Sequence, residues 1–260
     1  MTLLSVNVNK VAVLRNSRGG QLPDVKHAAQ TALRAGCDGI TVHPRPDLRH
    51  IHPSDCVAIR ALLNFHEFFG REFNIEGNPF APANAQYPGL LAIIEQTRPE
   101  QVTLVPDSDT QVTSDHGWRI RENAARLGPM IASIRALGAR VSLFVDDDID
   151  EAELLIALDL GAERIEIYTG PYAHEFDAKE KHALQQKDAL SRCVRTSSIA
   201  CALGLGVNAG HDLSQSNLAP LLQAAPGICE VSIGHALFND ALYVGLDSAV
   251  RAYLEIVSAV

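Results

Sequence analysis

Eight short runs rich in β-branched residues recur along the chain, and a helical pattern follows nearly every one of them. The runs cover residues 3–8, 39–43, 72–76, 101–106, 140–146, 164–170, 206–211 and 230–236. Stretches such as PDVKHAAQTALRAG, PGLLAIIEQTRP and DIDEAELLIALDLGA lie between them, with apolar residues at three- and four-residue spacing. Eight strands alternating with eight helices predict an α/β fold, the (β/α)8 or TIM barrel. A doubly wound sheet is the structural competitor, but eight units without a break in the rhythm favour a closed barrel.

Domain organisation follows from what the 260 residues lack. No linker rich in Gly, Ser or Pro divides the chain, so we predict a single (β/α)8 barrel catalytic domain over residues 1–260. The connections from Asp107 to Arg140 and from Pro171 to Leu203 are longer than one helix needs. We therefore expect additional helices in both, among them WRIRENAARLGPMIASIRALG, and this extra surface is a natural place for oligomer contacts.

Composition excludes several classes of protein. A formal charge of −9 argues against nucleic acid as a bulk electrostatic partner, although a local basic cluster can still bind a small anion. Five scattered cysteines without a CxxC pair fit reduced cytosolic thiols better than disulfides or a zinc site. The first residues do not resemble a secretory signal, and no apolar stretch approaches the roughly 18 residues of a membrane span. We expect a soluble cytoplasmic protein without membrane contact.

Polar side chains follow nearly every predicted strand. They are Asn7, Asn9, His43, Arg45, Glu76, Asp107, Asp146, Glu166, Thr169, His211 and His235, and Gly234 lies at the eighth strand exit beside the last of them. In barrels of this kind the active site lies at the carboxyl ends of the strands, and a mere scaffold has no reason to place so many unpaired polar groups there. The set predicts a catalytic pocket, while Glu166 taken alone, between two isoleucines, is equally consistent with a structural carboxylate.

Three of these groups are suited to proton transfer. His43 is the first residue past an apolar strand, Glu76 ends FNIE, and His211 ends VNAGH after small residues that leave room for a ligand. Two histidines and a glutamate from three strands suit repeated proton transfers in condensation and dehydration. Each alone could instead be a strand-end side chain with a structural hydrogen bond.

The segment GITVHPRPDLRHIHP, residues 39–53, is consistent with a metal site, an anion site, a catalytic site or a solvated loop. His50 and His52 form an HxH pair of the kind that some hydrolase barrels use for zinc, but such a site needs further ligands on other strands. Arg45 and Arg49 surround the pair and would repel a dication. We therefore predict an anion clamp and no metal.

Glycine-rich segments at other strand ends extend the anion argument. LRNSRGG places Arg15 and Arg18 in the predicted loop after the first strand. SIGHAL leads into the last predicted helix, where Gly234 lets the backbone wrap a phosphate at a helix N-terminus. Barrel phosphate sites are frequently built from the loops after strands 7 and 8. With Arg18 at one side and Arg45 and His50 at another, two separate phosphate sites are predicted.

The segments SVNVNKVAVLRNSRGG, DGITVHPRPDLRHI, NIE, QVTLVPD, VSLFVD, IEIYTGPYA, VNAGHDL and SIGHAL resemble, in order, those of the pyridoxine 5′-phosphate synthase family. The resemblance covers residue 5 to about residue 237. It implies a (β/α)8 barrel with additional helices, a homo-octamer, and a transferase that needs no cofactor and no metal. The implied reaction condenses 1-deoxy-D-xylulose 5-phosphate with 3-amino-2-oxopropyl phosphate, giving pyridoxine 5′-phosphate, phosphate and water in vitamin B6 biosynthesis.

The resemblance also implies roles for individual positions. His43 and Glu76 match the family's proton acceptors, and His211 matches its proton donor. The positions that match contacts to the aminoketone phosphate are Asn7, Arg18, Asp212, Gly234 and His235. The positions that match contacts to the deoxyxylulose phosphate are Arg45, His50 and Thr113.

The chain departs from the family pattern at two places. Many members have Asp-His where this chain has Asn9-Lys10, and the usual Gly after the pocket histidine is Asp212. Lys10 can still attract a phosphate, whereas a carboxylate at Asp212 is unfavourable beside a phosphate unless it points away.

Two other functions compete with this reading. A different phosphosugar barrel, such as an isomerase or an aldolase, is the nearest, although a Schiff-base aldolase needs a lysine at a strand end and Lys10 is the sole candidate. A non-catalytic ligand-binding or assembly barrel is the second. Such a non-catalytic barrel would not need His43, Glu76 and His211 together. Turnover with both phosphorylated substrates would therefore distinguish the enzyme from a binding barrel.

Overall fold

The computed structural model describes residues 2–108, 110–181 and 188–260, without the side chains of residues 178–181. Eight parallel strands form a closed barrel in sequence order, and the eighth pairs with the first. The predicted (β/α)8 barrel is confirmed. Its strands are β1 (Leu3–Asn7), β2 (Gly39–Val42), β3 (Glu72–Gly77), β4 (Gln101–Leu104), β5 (Arg140–Val145), β6 (Arg164–Tyr168), β7 (Gly206–Gly210) and β8 (Ile228–Ile233).

Eleven α-helices and one short 3-10 helix (His66–Phe68) connect the strands within the described ranges. The α-helices are α1 (Asn9–Asn16), α2 (Val25–Ala35), α3 (Pro53–Leu63), α4 (Leu90–Thr97), α5 (Ile120–Ala136), α6 (Glu151–Asp159), α7 (Gly170–Lys181), α8 (Asp188–Ala202), α9 (Leu218–Ala224), α10 (His235–Val244) and α11 (Leu246–Ser258). None of the described helices is long and apolar enough to cross a membrane.

Local sequence explains where these elements begin and end, as α2 illustrates. The Asp24 side chain accepts hydrogen bonds from the backbone N–H groups of Lys26 and His27, which caps the first turn. Gly36 ends the helix with φ +116°, a left-handed conformation that glycine adopts without steric strain. The predicted stretch PDVKHAAQTALRAG therefore contains both boundaries of the helix.

Alternation along the strands separates an apolar outer face from a polar inner face. Leu4 and Val6 on β1, like Ile40 and Val42 on β2, are fully buried in the hydrophobic core. Successive strand residues point to opposite faces, so Ser5 and its neighbours across the barrel point inward. There, hydrogen bonds join four strands through the side chains of Ser5, Thr41, Asn74 and Thr103. Two residues further along β1, β2 and β3, the same face presents Asn7, His43 and Glu76 to the carboxyl end.

Ion pairs hold the opposite end of the barrel interior. Arg140 contacts Glu72 at 2.7 Å, and Arg164 contacts Glu230 at 2.7 Å. Burial and the neighbouring Glu72 carboxylate raise the pKa of Glu230 to about 8. A polar interior thus replaces the branched aliphatic layers that dominate many barrels.

The additional helices differ in part from the prediction. The connection between β6 and β7 has the expected extra helix, since both α7 and α8 lie there. The expectation of an extra helix between β4 and β5 is wrong, because α5 is the single described helix there and serves as the barrel's own crossover. The surplus length belongs to the loop before it. Helix α1 lies where a loop was predicted, and SIGHAL leads into the penultimate helix, α10, rather than the last.

That loop, residues 105–119 as far as they are described, is anchored to the barrel at its far end. The Trp118 indole N–H donates to Leu104 O and its backbone N–H to Phe144 O, both at 2.9 Å. Gly117 presses so closely on β5 that a Cβ would lie 2.4 Å from the carbonyl carbon of Val145. The anchor leaves the middle of the loop above the carboxyl ends of the strands.

Candidate active site

A cavity of about 310 Å³ opens at the carboxyl ends of the strands. Ten of the eleven predicted site residues line it, and Arg18 does not. The ten are Asn7, His43, Arg45, His50, Glu76, Thr113, His211, Asp212, Gly234 and His235. Asn9, Lys10, Ser114 and Glu166 also line the cavity.

His43 lies between two carboxylates inside this cavity. Its Nδ1 atom is 3.6 Å from Glu76 Oε2, and its Nε2 atom is 3.7 Å from Asp107 Oδ2. The Asn9 side chain accepts a hydrogen bond from the His43 backbone N–H, which fixes the chain where β2 ends. The side chains of His43, Glu76 and Asp107 are all buried. This places an imidazole and a carboxyl group from neighbouring strands within reach of one bound substrate.

Burial shifts the pKa values of His43 and Glu76 in opposite directions. It lowers the pKa of His43 well below the ordinary value, and the guanidinium of Arg45 lowers it further. It raises the pKa of Glu76 to about 8, with a further rise from the Asp107 carboxylate. Near neutral pH both groups are therefore mostly uncharged, as expected when desolvation outweighs pairing.

Asp107 is a partner that the sequence analysis counted among the polar strand exits but did not place in the site. Its carboxylate forms a buried ion pair with Arg45 and accepts a hydrogen bond from the Ser114 hydroxyl. The Arg45 guanidinium also reaches the carbonyl oxygens of Ser108 and Gln111. Arg45 is thus hydrogen-bonded to the loop that follows β4. A phosphate would bind a guanidinium whose charge one carboxylate already compensates.

His50 contributes an imidazole ring to the cavity. The side chains of Arg15 and Asn16 donate to its carbonyl oxygen, while its Nδ1 atom is buried without a hydrogen-bond partner among the described residues. Burial lowers the pKa of His50 to about 2, assisted by His43. A neutral imidazole with an unused ring nitrogen is available to a ligand.

The HxH pair does not act as a unit. His50 lines the cavity, whereas the backbone N–H of His52 donates to Asp55 Oδ2 at the start of α3. Across the described residues, no three His, Cys, Asp or Glu side chains stand close enough together to hold a metal ion.

The two arginines of LRNSRGG lie elsewhere than the sequence analysis expected. Arg15 is not in a loop: it belongs to α1, is buried, and contacts both carboxylate oxygens of Asp55, at 2.6 and 2.9 Å. Arg18 is exposed in the turn that follows α1. The helix α1 starts two residues after β1, so the apolar pattern of NKVAVL is that of a helix rather than a loop.

The ends of β1, β7 and β8 form the other side of the cavity. A Cβ at Gly234 would lie 3.0 Å from Asn7 O, so a larger residue would crowd this close approach of β8 to β1. The helix α10 starts at His235, and its first residues, His235 and Ala236, line the cavity. Free N–H groups and the helix dipole at such a terminus favour an anion.

Glu166 is a further ionisable group whose role the sequence left open. It is buried and lines the cavity, and a Cβ at Gly210 would lie 2.3 Å from its Oε1 atom. Burial raises the pKa of Glu166 well above the ordinary value, and Glu76 raises it further. Its Oε2 atom has no hydrogen-bond partner among the described residues. A protonated carboxyl with one oxygen that lacks a partner is better suited to contact a substrate than to form a structural ion pair.

Comparisons with known proteins show the family to which the chain is related. A family model described as "Pyridoxal phosphate biosynthesis protein PdxJ" matches residues 4–259. A curated relative named pyridoxine 5′-phosphate synthase, from Xanthomonas axonopodis pv. citri (strain 306), is 57% identical over 256 residues, 98% of this chain and 96% of that protein. A protein of the same name from Xylella fastidiosa (strain 9a5c) is 54% identical over 260 residues, 100% of this chain and 96% of that protein.

Solved structures with low sequence identity share the barrel. The tryptophan synthase alpha chain from Legionella pneumophila subsp. pneumophila has a TM-score of 0.64 at 9% identity, covering 100% of this chain and 92% of that chain. KGPDC from Streptococcus mutans has a TM-score of 0.61 at 10% identity, covering 100% and 98%. At these identities the likeness concerns the fold alone.

Proposed function

The chain belongs to the PdxJ family of pyridoxal phosphate biosynthesis proteins, and we propose that it catalyses the ring-closing condensation of vitamin B6 biosynthesis. The substrates are 1-deoxy-D-xylulose 5-phosphate and 3-amino-2-oxopropyl phosphate, and the products are pyridoxine 5′-phosphate, phosphate and water. By reaction type the enzyme is a transferase. The observation that carries the proposal is the convergence of His43, Glu76 and His211 on one cavity with anion-binding groups at both sides.

Each phosphate has its own end of the cavity in this proposal. Arg45, His50 and Thr113 hold the deoxyxylulose phosphate. The second set holds the aminoketone phosphate and consists of Asn7, Arg18, Asp212, Gly234 and His235. The reacting carbonyl and amine groups then lie between the two phosphate sites, beside His43 and Glu76. Because both substrates are bound in one cavity, the bimolecular condensation becomes effectively unimolecular.

The pKa shifts suit the roles of proton acceptor and donor. A neutral His43 has a free lone pair with which to accept a proton, and a pKa of about 8 lets Glu76 both take up and release one near neutral pH. Burial also lowers the pKa of His211. Two bound phosphates add negative charge, which raises the pKa of a nearby histidine and favours its protonated form. Substrate binding thereby prepares His211 as a proton donor.

Assembly and location follow the family resemblance. We propose a cytoplasmic homo-octamer in which each chain, residues 1–260, is one catalytic domain. Apolar side chains at the end of α10 support oligomer contacts, since Leu242 is 75% and Tyr243 82% exposed in the single chain. Patches of this kind mark interaction sites more often than free surface.

Incubation with both substrates tests the proposed function. We expect the absorbance of pyridoxine 5′-phosphate to appear together with inorganic phosphate, and only when both substrates are present. Conversion of a single phosphosugar, with a borohydride-trapped adduct on Lys10, would instead identify an aldolase. Binding of either phosphate without turnover would identify a ligand-binding barrel.

A further inference from the structure

Thr169, the residue after β6, forms hydrogen bonds with two successive carbonyl groups at the end of β7. Its backbone N–H donates to Gly210 O at 2.9 Å, and its buried hydroxyl oxygen lies 2.6 Å from both Gly210 O and His211 O. In an extended strand the backbone is pleated and successive residues face opposite ways, so two successive carbonyls reach one hydroxyl only where the chain turns. The turn occurs at His211, where φ is +83°.

The backbone conformation of His211 needs support from its surroundings. A φ of +83° lies in the left-handed region, which disfavours side chains other than glycine, and Asp212 follows with φ +56°. Such conformations persist only where neighbouring groups hold them, and they cluster at functional sites. The Thr169 hydroxyl is one such group, and the Asn217 amide, which donates to Asp212 O at 3.0 Å, is another.

Two aromatic rings enclose the imidazole of His211. The Phe144 ring lies 4.8 Å from it between centroids, and the Tyr168 ring lies 5.4 Å away at an interplanar angle of 80°. A Cβ at Gly170 would lie 2.4 Å from the Tyr168 hydroxyl oxygen, so the glycine leaves the space that the tyrosine ring fills. The sequence Tyr-Thr-Gly thus places the Tyr168 ring against the imidazole of His211 and the Thr169 hydroxyl against the His211 backbone.

We infer that Thr169 and Tyr168 are positioning residues for His211: the Thr169 hydroxyl fixes its backbone, and the Tyr168 ring fixes the direction of its imidazole. The inference rests on the proposed function, in which His211 donates a proton. Neither residue lines the cavity. Their loss should therefore displace the donor while the phosphate contacts remain, which lowers kcat and leaves the KM values unchanged. A displacement of about 1 Å can lower a rate about a hundredfold.

Substitution of Thr169 by Ser and by Ala separates the hydroxyl from the rest of the side chain. Both variants lack the methyl group, and only Thr169→Ser keeps the hydroxyl. We expect Thr169→Ser to retain kcat within about twofold and Thr169→Ala to lose about ten- to hundredfold, with both KM values within about twofold. Equal kcat in the two variants, or a loss that appears in KM alone, would overturn the role of Thr169.

A second pair of variants keeps the inference testable if Thr169→Ala does not fold. Tyr168 is half-buried at the rim, so its truncation leaves the core intact. Tyr168→Phe keeps the ring and should retain kcat, whereas Tyr168→Ala should lower kcat about tenfold without changing KM. Equal kcat in this pair would overturn the role of Tyr168.

Titration of His211 gives a readout that does not need turnover. Histidine labelled at Cε1, with the signal assigned by a His211→Gln variant, reports the pKa of the ring by NMR. Burial lowers this pKa in the wild type, so Thr169→Ala and Tyr168→Ala should move it upward, and the Ser and Phe variants should not. An inactive wild type would refute the proposed function while this titration still tests the positioning. An unchanged titration in both Ala variants would refute the positioning.

Discussion

His43 Nδ1 lies 3.6 Å from Glu76 Oε2, and both side chains are buried. Desolvation lowers the pKa of the histidine and raises that of the glutamate, so near neutral pH the pair holds its proton on the carboxyl group. A proton can pass between such partners without creating an isolated buried charge, which would be costly in a medium of low dielectric constant. The pair therefore suits a reaction that removes and returns several protons.

Substitution of Glu76 by Gln tests the role of this carboxyl group in catalysis. The change is nearly isosteric and removes only the ability to exchange a proton, so folding should be preserved. We expect kcat with both substrates to fall by about 10²–10⁴, the usual contribution of a general acid or base. His43→Ala and His211→Ala should fall by a similar order, without additivity if all three act in one relay. Near-full kcat in Glu76→Gln would make Glu76 a structural carboxyl.

The same substitution should change how stability depends on pH. The folded protein holds the Glu76 proton up to a pKa of about 8, far above the ordinary 4.5, so the folded state binds this proton more tightly than the unfolded state. The stabilisation is full below the unfolded pKa and is lost as pH rises through the folded one. Urea unfolding at about pH 6 and about pH 9 should show a smaller loss for Glu76→Gln than for the wild type. An equal loss in both proteins would place the Glu76 pKa outside this window.

Much of this site could be predicted from strand periodicity. The barrel rule places the residues after each strand at one rim, which was enough to bring His43, Glu76 and His211 together. Partners that depend on side-chain direction could not be predicted. Asp107 becomes part of the site because the β4 loop folds back over Arg45, and no local pattern encodes that long-range ion pair.

Arg18 is a residue whose role could be predicted from the family resemblance but whose position could not. The resemblance to the family assigns it a phosphate contact, whereas it is exposed in the turn after α1. A single sequence cannot state where an exposed arginine points. Glu166 is similar, since the alternation of RIEIY predicts its inward direction but not that one of its oxygens lacks a partner.

Arg18 and His50 should affect different substrates. A hydrogen bond to a charged group contributes about 1.5–3 kcal/mol, or roughly ten- to hundredfold in affinity. We expect Arg18→Ala to raise mainly the KM for the aminoketone phosphate and His50→Ala mainly that for deoxyxylulose phosphate. Arg251→Ala and His52→Ala are matched controls, because neither residue lines the cavity. Equal effects on both substrates would refute the assignment of two phosphate ends.

Activity should not depend on a metal ion. Arg45 and Arg49 lie close enough to His50 to lower the pKa of its ring, and their charges oppose a dication there. Exhaustive chelation with EDTA followed by assay in metal-free buffer should leave kcat and both KM values unchanged. Loss of turnover on chelation, with recovery on adding zinc, would show that the anion interpretation of residues 43–52 is wrong.

The ion pair between Arg45 and Asp107 gives the last prediction. Both side chains are at most 5% exposed, so Asp107→Asn leaves a buried guanidinium without its counter-charge. Breaking one side of a buried pair typically costs about 3–5 kcal/mol of stability. If Arg45 binds substrate phosphate, an added phosphate ester should replace the missing carboxylate, and a ligand that binds only the folded state raises its stability. Deoxyxylulose phosphate should therefore raise the Tm of Asp107→Asn more than that of the wild type.

A second buried ion pair provides the control. Arg164 pairs with Glu230 away from the cavity, so a Glu230→Gln variant should be destabilised without this additional rescue by the ligand. The same ligand-induced rise in Tm in all three proteins would mean that Arg45 does not contact the phosphate.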